Sequence, residues 1–202
     1  ADRLLALHEE DPSLSRDGQM NEGAVSAALG LSGWPSIAES VMIERDCSIA
    51  AYVQRPLHIM HLSARESVAA VRAARARGVA VTAEVSPHHL CLTDDTVRTL
   101  DTNRKMNPPL RAEDDRQALL EGLRDGTITT IATDHAPHSP VEKEVEFNGA
   151  PNGIIGLETA LPLVLRLVQE GRVPLDTALR RLTAGPARIL RIDKGHLSIG
   201  AD

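Results

Sequence analysis

Aromatic side chains are almost missing from this 202-residue chain: Trp34, Tyr52 and Phe147 are the whole complement. A core without them must be built from Leu, Ile, Val and Ala, as in many parallel sheets wrapped by helices. Cysteine is nearly absent too. Cys47 and Cys91 lie far apart with no metal-ligand spacing, which points to reduced thiols in a cytoplasmic protein. Net charge is −6 with no basic run, so the electrostatic footprint of a nucleic-acid binder is lacking. No apolar stretch approaches a membrane span, and no signal-peptide pattern opens the chain. The expectation is a cytoplasmic protein with no nucleic-acid or membrane partner.

What is present is an alternation of apolar runs and helical patterns. Strands are predicted at residues 4–7, 57–60, 79–85 and 129–134, with a polar, glycine-bearing loop over 9–35. A helix is predicted over 36–54, where Ile37, Val41, Ile43 and Ile49 recur at helical spacing. Ser63-Ala64-Arg65-Glu66 reads as a capping box opening a helix that ends at Gly78. Further helices are predicted around 94–100, 112–123, 156–170 and 175–182. This β–α–β–α order implies a parallel sheet. His58 is read as a packing residue and His196 as solvated.

At each strand end stands a histidine or an aspartate: His8, His61, the run Ser86-Pro87-His88-His89, and Asp134. In (β/α)8 barrels the active site lies at the C-terminal strand ends, so this placement is informative. With four strands the chain makes half a barrel. The fold expected is α/β, a partial (β/α)8 TIM-type barrel of about the last four β/α units, with residues 1–202 as one partial domain of something larger.

The run Ile131-Ala132-Thr133-Asp134-His135-Ala136-Pro137-His138 brings acid/base and metal-ligand groups to the sheet rim. Imidazole and carboxylate together suit Zn²⁺. One histidine after a strand is usually structural, but His8, His61 and Asp134 occupy the same topological position on three strands. His88 and His89 satisfy the same positional argument, and spacing alone does not separate them.

Longer motifs carry a family resemblance. They include His8-Glu9-Glu10-Asp11, Gly30-Leu31-Ser32-Gly33-Trp34-Pro35, His61-Leu62-Ser63 and Ala83-Glu84-Val85-Ser86-Pro87-His88-His89-Leu90. Lys105-Met106-Asn107-Pro108-Pro109-Leu110-Arg111, Thr133-Asp134-His135-Ala136-Pro137-His138 and Gly156-Leu157-Glu158-Thr159-Ala160 complete the set. Over essentially its whole length the chain resembles the C-terminal half of the catalytic barrel of bacterial dihydroorotases, of the hydantoinase- and allantoinase-like class of amidohydrolases. The resemblance implies two Zn²⁺ in a complete site. His8 and His61 would bind one, and Asp134 would bind the other and shuttle the proton. Asn107 and His138 would hold the substrate, with the backbone at Asn152 and Gly153 closing over the pyrimidine. His88 and His89 then become supporting or structural residues.

Some family features have no counterpart here: a His-x-His pair, the arginine shortly after it, and a bridging carboxylate from a later strand. Asn21-Glu22-Gly23 stands where relatives often have a histidine, and Asn152 where an aromatic is common. The implied activity is reversible hydrolysis of dihydroorotate to N-carbamoyl-aspartate in pyrimidine synthesis, in a homodimer or together with aspartate transcarbamoylase. The competing readings are a non-catalytic scaffold subunit of that transcarbamoylase, and a hydantoinase or allantoinase. Retention of His8, His61 and Asp134 favours the enzyme, and Asn107 in its Pro-Pro context favours dihydroorotate.

Overall fold

Short β-branched and apolar runs become strands, and the alanine- and leucine-rich stretches between them become helices. The computed structural model describes residues 3–201. The chain begins with β1 (Leu5–Leu7), α1 (Pro12–Ser15), β2 (Met20–Asn21), α2 (Ala24–Leu29) and β3 (Gly33–Trp34). There follow α3 (Ile37–Val53), β4 (Leu57–Ile59), α4 (Arg65–Ala76), β5 (Val81–Val85), α5 (Pro87–Cys91), α6 (Glu113–Asp125) and β6 (Thr130–Ile131). Helices α7 (Pro140–Lys143), α8 (Ala160–Gln169), α9 (Leu175–Leu182) and α10 (Ala184–Leu190) complete the order.

The main sheet runs β1-β4-β5-β6, parallel throughout. Each strand pairs with the next one of that sheet along the chain and the order never reverses. A doubly wound sheet would turn back at a switch point; winding in one direction makes an arc of a barrel. The fold is a partial (β/α)8 barrel, as the sequence predicts.

Alternation along the strands separates two faces. Leu57, Ile59, Val81, Ala83, Val85 and Ile131 point outward into one apolar core with Ile43 and Cys47 of α3, Val68 and Val71 of α4, Leu119 and Leu123 of α6, and Val164 of α8. The opposite face carries His58, Thr82 and Glu84. His58 Nδ1 lies 2.8 Å from Thr82 Oγ1, and its Nε2 lies 3.0 Å from Glu84 Oε2. His58 is therefore buried, but as a hydrogen-bonded link to the adjacent strand on the inner face of the sheet.

Several local expectations change. Residues 9–35 are not a plain loop: β2 and β3 form a separate parallel pair flanking α2. On α3 the buried stripe is Glu39, Ile43, Cys47 and Ala50, whereas Ile37, Val41 and Ile49 are exposed. Ser63 does not cap α4. Its hydroxyl is taken by Glu39, and the first N–H of the helix, at Arg65, donates instead to Asp115 Oδ1 at 3.0 Å. Residues 94–99 wind as a 3₁₀ helix, and α8 starts at Ala160, later than predicted. Gly78, with φ +82°, does end α4, and α9 has the predicted bounds.

Beside β1 the exposed Leu5 and Ile49 border an apolar groove of about 530 Å³ that Leu7, Val53 and Leu57 also line. An exposed strand with an apolar flank invites association. The 202-residue chain is therefore expected to sediment as concentration-dependent oligomers, and Leu5→Glu with Ile49→Glu to shift it toward monomer. A strictly monomeric parent chain across the micromolar range would contradict this.

Candidate active site

The loops leaving the C-terminal strand ends gather at one rim. His8 follows β1 directly and His61 lies just past β4. His8 Nδ1 and His61 Nε2 face each other at 2.9 Å, with the rings edge to face and their centroids 4.6 Å apart. His61 is buried and His8 exposed. Burial holds the His61 imidazole below its ordinary pKa and the neighbouring His8 adds to this, while Asp134, Glu39 and Glu84 oppose it. His61 has φ +24° and Asp134 φ +48°, in the region side chains rarely adopt. Such backbone is sustained only where the surroundings over-determine it, commonly at functional sites.

Asp134 thus acts on His61 through its charge, and it acts on His88 in the same way. Among the described residues no three His, Cys, Asp or Glu side chains cluster tightly enough to hold a metal on their own. What the chain supplies is a pair of imidazole nitrogens, a chemically apt but incomplete donor set for a zinc-like ion.

Asn107 stands on the same side of the site. Its Nδ2 donates to Glu10 Oε2 at 3.1 Å, and the same oxygen lies 3.2 Å from His8 Nε2. Across the rim, His138 Nε2 donates to the backbone oxygen of Asn152 at 2.9 Å. In the neutral ring this leaves Nδ1 as an acceptor, so His138 has a second N–H to offer only as imidazolium or after releasing Asn152. Gly153 N donates to Lys105 O at 2.9 Å. Lys105 Nζ also ties in Gln19 and the carbonyls of Phe147 and Asn148, while Lys143 Nζ holds those of Thr102 and Pro151. His135 Nδ1 accepts from Gly156 N at 2.9 Å, and a bridge to Ile154 closes the loop over the rim. Beneath it lies a cavity of about 410 Å³ bordered by His88, Arg104, His138, Lys143 and Gly153.

His89 belongs to the scaffold. Its Nε2 donates to Pro108 O at 3.1 Å, and its Nδ1 lies 2.7 Å from Ser86 Oγ, so it ties α5 to the Asn107 segment. Complete burial pushes its pKa from the usual 6.5 to about 3. Glu10, Glu39, Arg111 and His135 were not singled out in the sequence as organisers of the rim. Glu10, Arg111 and His135 did lie inside the motifs, but a motif does not say which of its polar residues turns inward.

Residues 43–202 match the amidohydrolase family. The chain belongs to that family. It is 55% identical over 199 residues to a dihydroorotase of Syntrophotalea carbinolica, covering 98% of this chain and 47% of that protein. A dihydroorotase of Geobacter sulfurreducens is also 55% identical, over 197 residues, with 98% and 46% covered. Among solved structures, the L-hydantoinase (dihydropyrimidinase) of Arthrobacter aurescens superposes on the whole chain with a TM-score of 0.89 at 28% identity, over 47% of its own length. A D-hydantoinase gives 0.84 at 26% identity, again over the whole chain and 47% of its own length. The chain spans about half the length of the curated relatives it matches.

Two outcomes follow from this geometry. Below pH 6.5 an unfolded chain protonates His89, whereas the folded one refuses the proton until about pH 3. The stability from His89 is thus complete above 6.5 and lost progressively as pH falls through that window. Thermal melts should show Tm declining with acidification, by about 2–4 °C per kcal/mol lost, and His89→Gln should flatten that dependence. At Gly153, φ is +147° and an added Cβ would lie 2.4 Å from Ala136 O. Gly153→Ala is expected to cost about 1–3 kcal/mol and to speed proteolysis within residues 144–153. An unchanged melt and cleavage pattern would refute this.

Proposed function

We propose that the chain contributes the C-terminal half of a cytoplasmic dihydroorotase site that hydrolyses dihydroorotate reversibly to N-carbamoyl-aspartate. The observation that carries this reading is the facing of His8 Nδ1 and His61 Nε2 at 2.9 Å, on the rim of an amidohydrolase barrel. The dihydroorotase relatives, at 55% identity, weigh more for substrate class than the hydantoinase structures at 28%. In the complete site His8 and His61 would hold one Zn²⁺ and Asp134 the second, with the remaining ligands supplied from outside these residues. A homodimer, or an assembly with aspartate transcarbamoylase, would be the working form.

Bound zinc supplies Lewis acidity, which polarises the amide carbonyl and acidifies the attacking water. The chain's own residues do the rest. The Asp134 carboxylate takes the water proton as the C–O bond forms and returns it to the ring nitrogen as the C–N bond breaks; without that proton the amide would not leave. Asn107 and His138 orient the ring and its carboxylate. The loop pinned by His135 and Lys105 carries the backbone of Asn152 and Gly153 over the substrate and excludes water.

In a protein with the full barrel, Asp134→Asn is expected to lower kcat by about 10²–10⁴. His138→Ala should impair dihydroorotate use more than use of a hydantoin lacking the carboxylate; equal losses would assign His138 to the fold. The 202-residue chain alone, with added zinc, should show negligible turnover. A normal enzymatic rate from it would overturn the half-site reading.

A further inference from the structure

We propose that Glu10 is a positioning residue that sets two functional side chains at once, the tautomer of His8 and the amide orientation of Asn107. The inference rests on the reading of His8 as a metal ligand and Asn107 as a substrate contact. Glu10 Oε2 lies 3.2 Å from His8 Nε2 and 3.1 Å from Asn107 Nδ2, and Oε1 accepts from Ser15 Oγ at 2.5 Å. A carboxylate only accepts hydrogen bonds. In the neutral ring His8 therefore carries its proton on Nε2, which leaves the Nδ1 lone pair aimed at His61 Nε2.

The same logic fixes Asn107. With its NH₂ turned to Glu10, the amide cannot flip without placing oxygen against carboxylate. Its Oδ1 is then committed to the other side, where it is buried and without a partner. A buried acceptor left open in this way costs stability unless a ligand donor meets it. The cyclic amide and ureide N–H groups of a dihydropyrimidine are donors of that kind. Glu10 thus couples the metal side of the site to the substrate side. A carboxylate behind a ligating histidine also strengthens that ligand, and losing it costs about 10–100-fold in metal affinity.

The test uses the 202-residue chain labelled with ¹⁵N-histidine, at mildly alkaline pH where imidazoles are neutral. Long-range ¹H–¹⁵N correlation reads the His8 tautomer directly, and competition with a chromophoric chelator reads Zn²⁺ affinity. The parent chain should show His8 protonated on Nε2. Glu10→Met keeps the bulk and removes the acceptor. It should mix the tautomers, move the Asn107 side-chain NH₂ resonances and weaken Zn²⁺ binding about 10–100-fold. Glu10→Gln can place its carbonyl where Oε2 lies, so it should restore the tautomer and most of the affinity. Ser15→Ala, which leaves Oε2 untouched, should behave as the parent.

An Nδ1-protonated His8 in the parent chain overturns the proposal without any variant. So does a Glu10→Met chain with parental tautomer and affinity, which would reduce Glu10 to an anchor for Ser15. If the parent binds no Zn²⁺ while the tautomer contrast persists, positioning by Glu10 stands and the reading of His8 as a ligand falls.

Discussion

The buried guanidinium of Arg111 is the interaction on which the rim depends. Its Nε donates to Ser63 Oγ at 3.0 Å, and Nη1 donates to Trp34 O at 2.7 Å and Asn21 Oδ1 at 3.1 Å. Nη2 lies 4.0 Å from Glu39 Oε2. Glu39 in turn accepts from the Ser63 hydroxyl and from the backbone N–H of Ser63 and Ala64. One cation and one carboxylate thereby fasten four pieces: the β2–β3 pair, α3, the turn after His61, and the segment that began at Asn107. Burying such a pair is costly, and breaking it by removing one partner typically costs about 3–5 kcal/mol. Its worth lies in geometry. His61 is two residues from Ser63 and Asn107 four from Arg111, so the network leaves both little freedom.

What rests on that network was only partly legible in the sequence. Strand ends announced His8, His61 and Asp134 because a parallel strand delivers its next residues to one rim whatever the loops do. The position of α9 was readable because its apolar and charged residues separate cleanly by helical spacing. The buried face of α3 was not. Ile37, Val41 and Ile49 look like a core stripe, yet the stripe turned to the sheet contains Glu39, drawn inward by Ser63 and Arg111. The capping box failed for the same reason: the Ser63 hydroxyl is worth more to two buried charges than to an exposed helix end. Tertiary partners overrode local propensity wherever a buried charge needed satisfaction.

Beneath the rim, the barrel interior repeats this economy on a smaller scale. His58 spans to Thr82 and Glu84 across adjacent strands, filling with hydrogen bonds a face that lacks aromatic bulk. Above the rim, Lys105 and Lys143 hold backbone carbonyls and His135 holds backbone N–H groups, so the 144–157 loop is fixed by polar staples. The site is clamped from both sides while its own residues carry the strain. His61 and Asp134 have positive φ, backbone that persists only where the surrounding structure supports it.

The His8–His61 contact shows what such clamping achieves. Two imidazole nitrogens 2.9 Å apart can share only one proton between them. With both rings neutral and Nε2 of His8 turned to Glu10, that proton sits on His61, and the His8 lone pair points into the gap. An ion held by His8 and His61 would take the place of the proton between these two nitrogens. Two imidazoles still fall short of the tetrahedral set zinc requires. In the proposed site the chain would supply this pair of nitrogens, and the remaining donors would come from outside these residues. His8 and Asn107 are held by Glu10, and the turn that carries His61 is held through Ser63 by Glu39 and Arg111, so the His8–His61 contact is positioned by groups outside it.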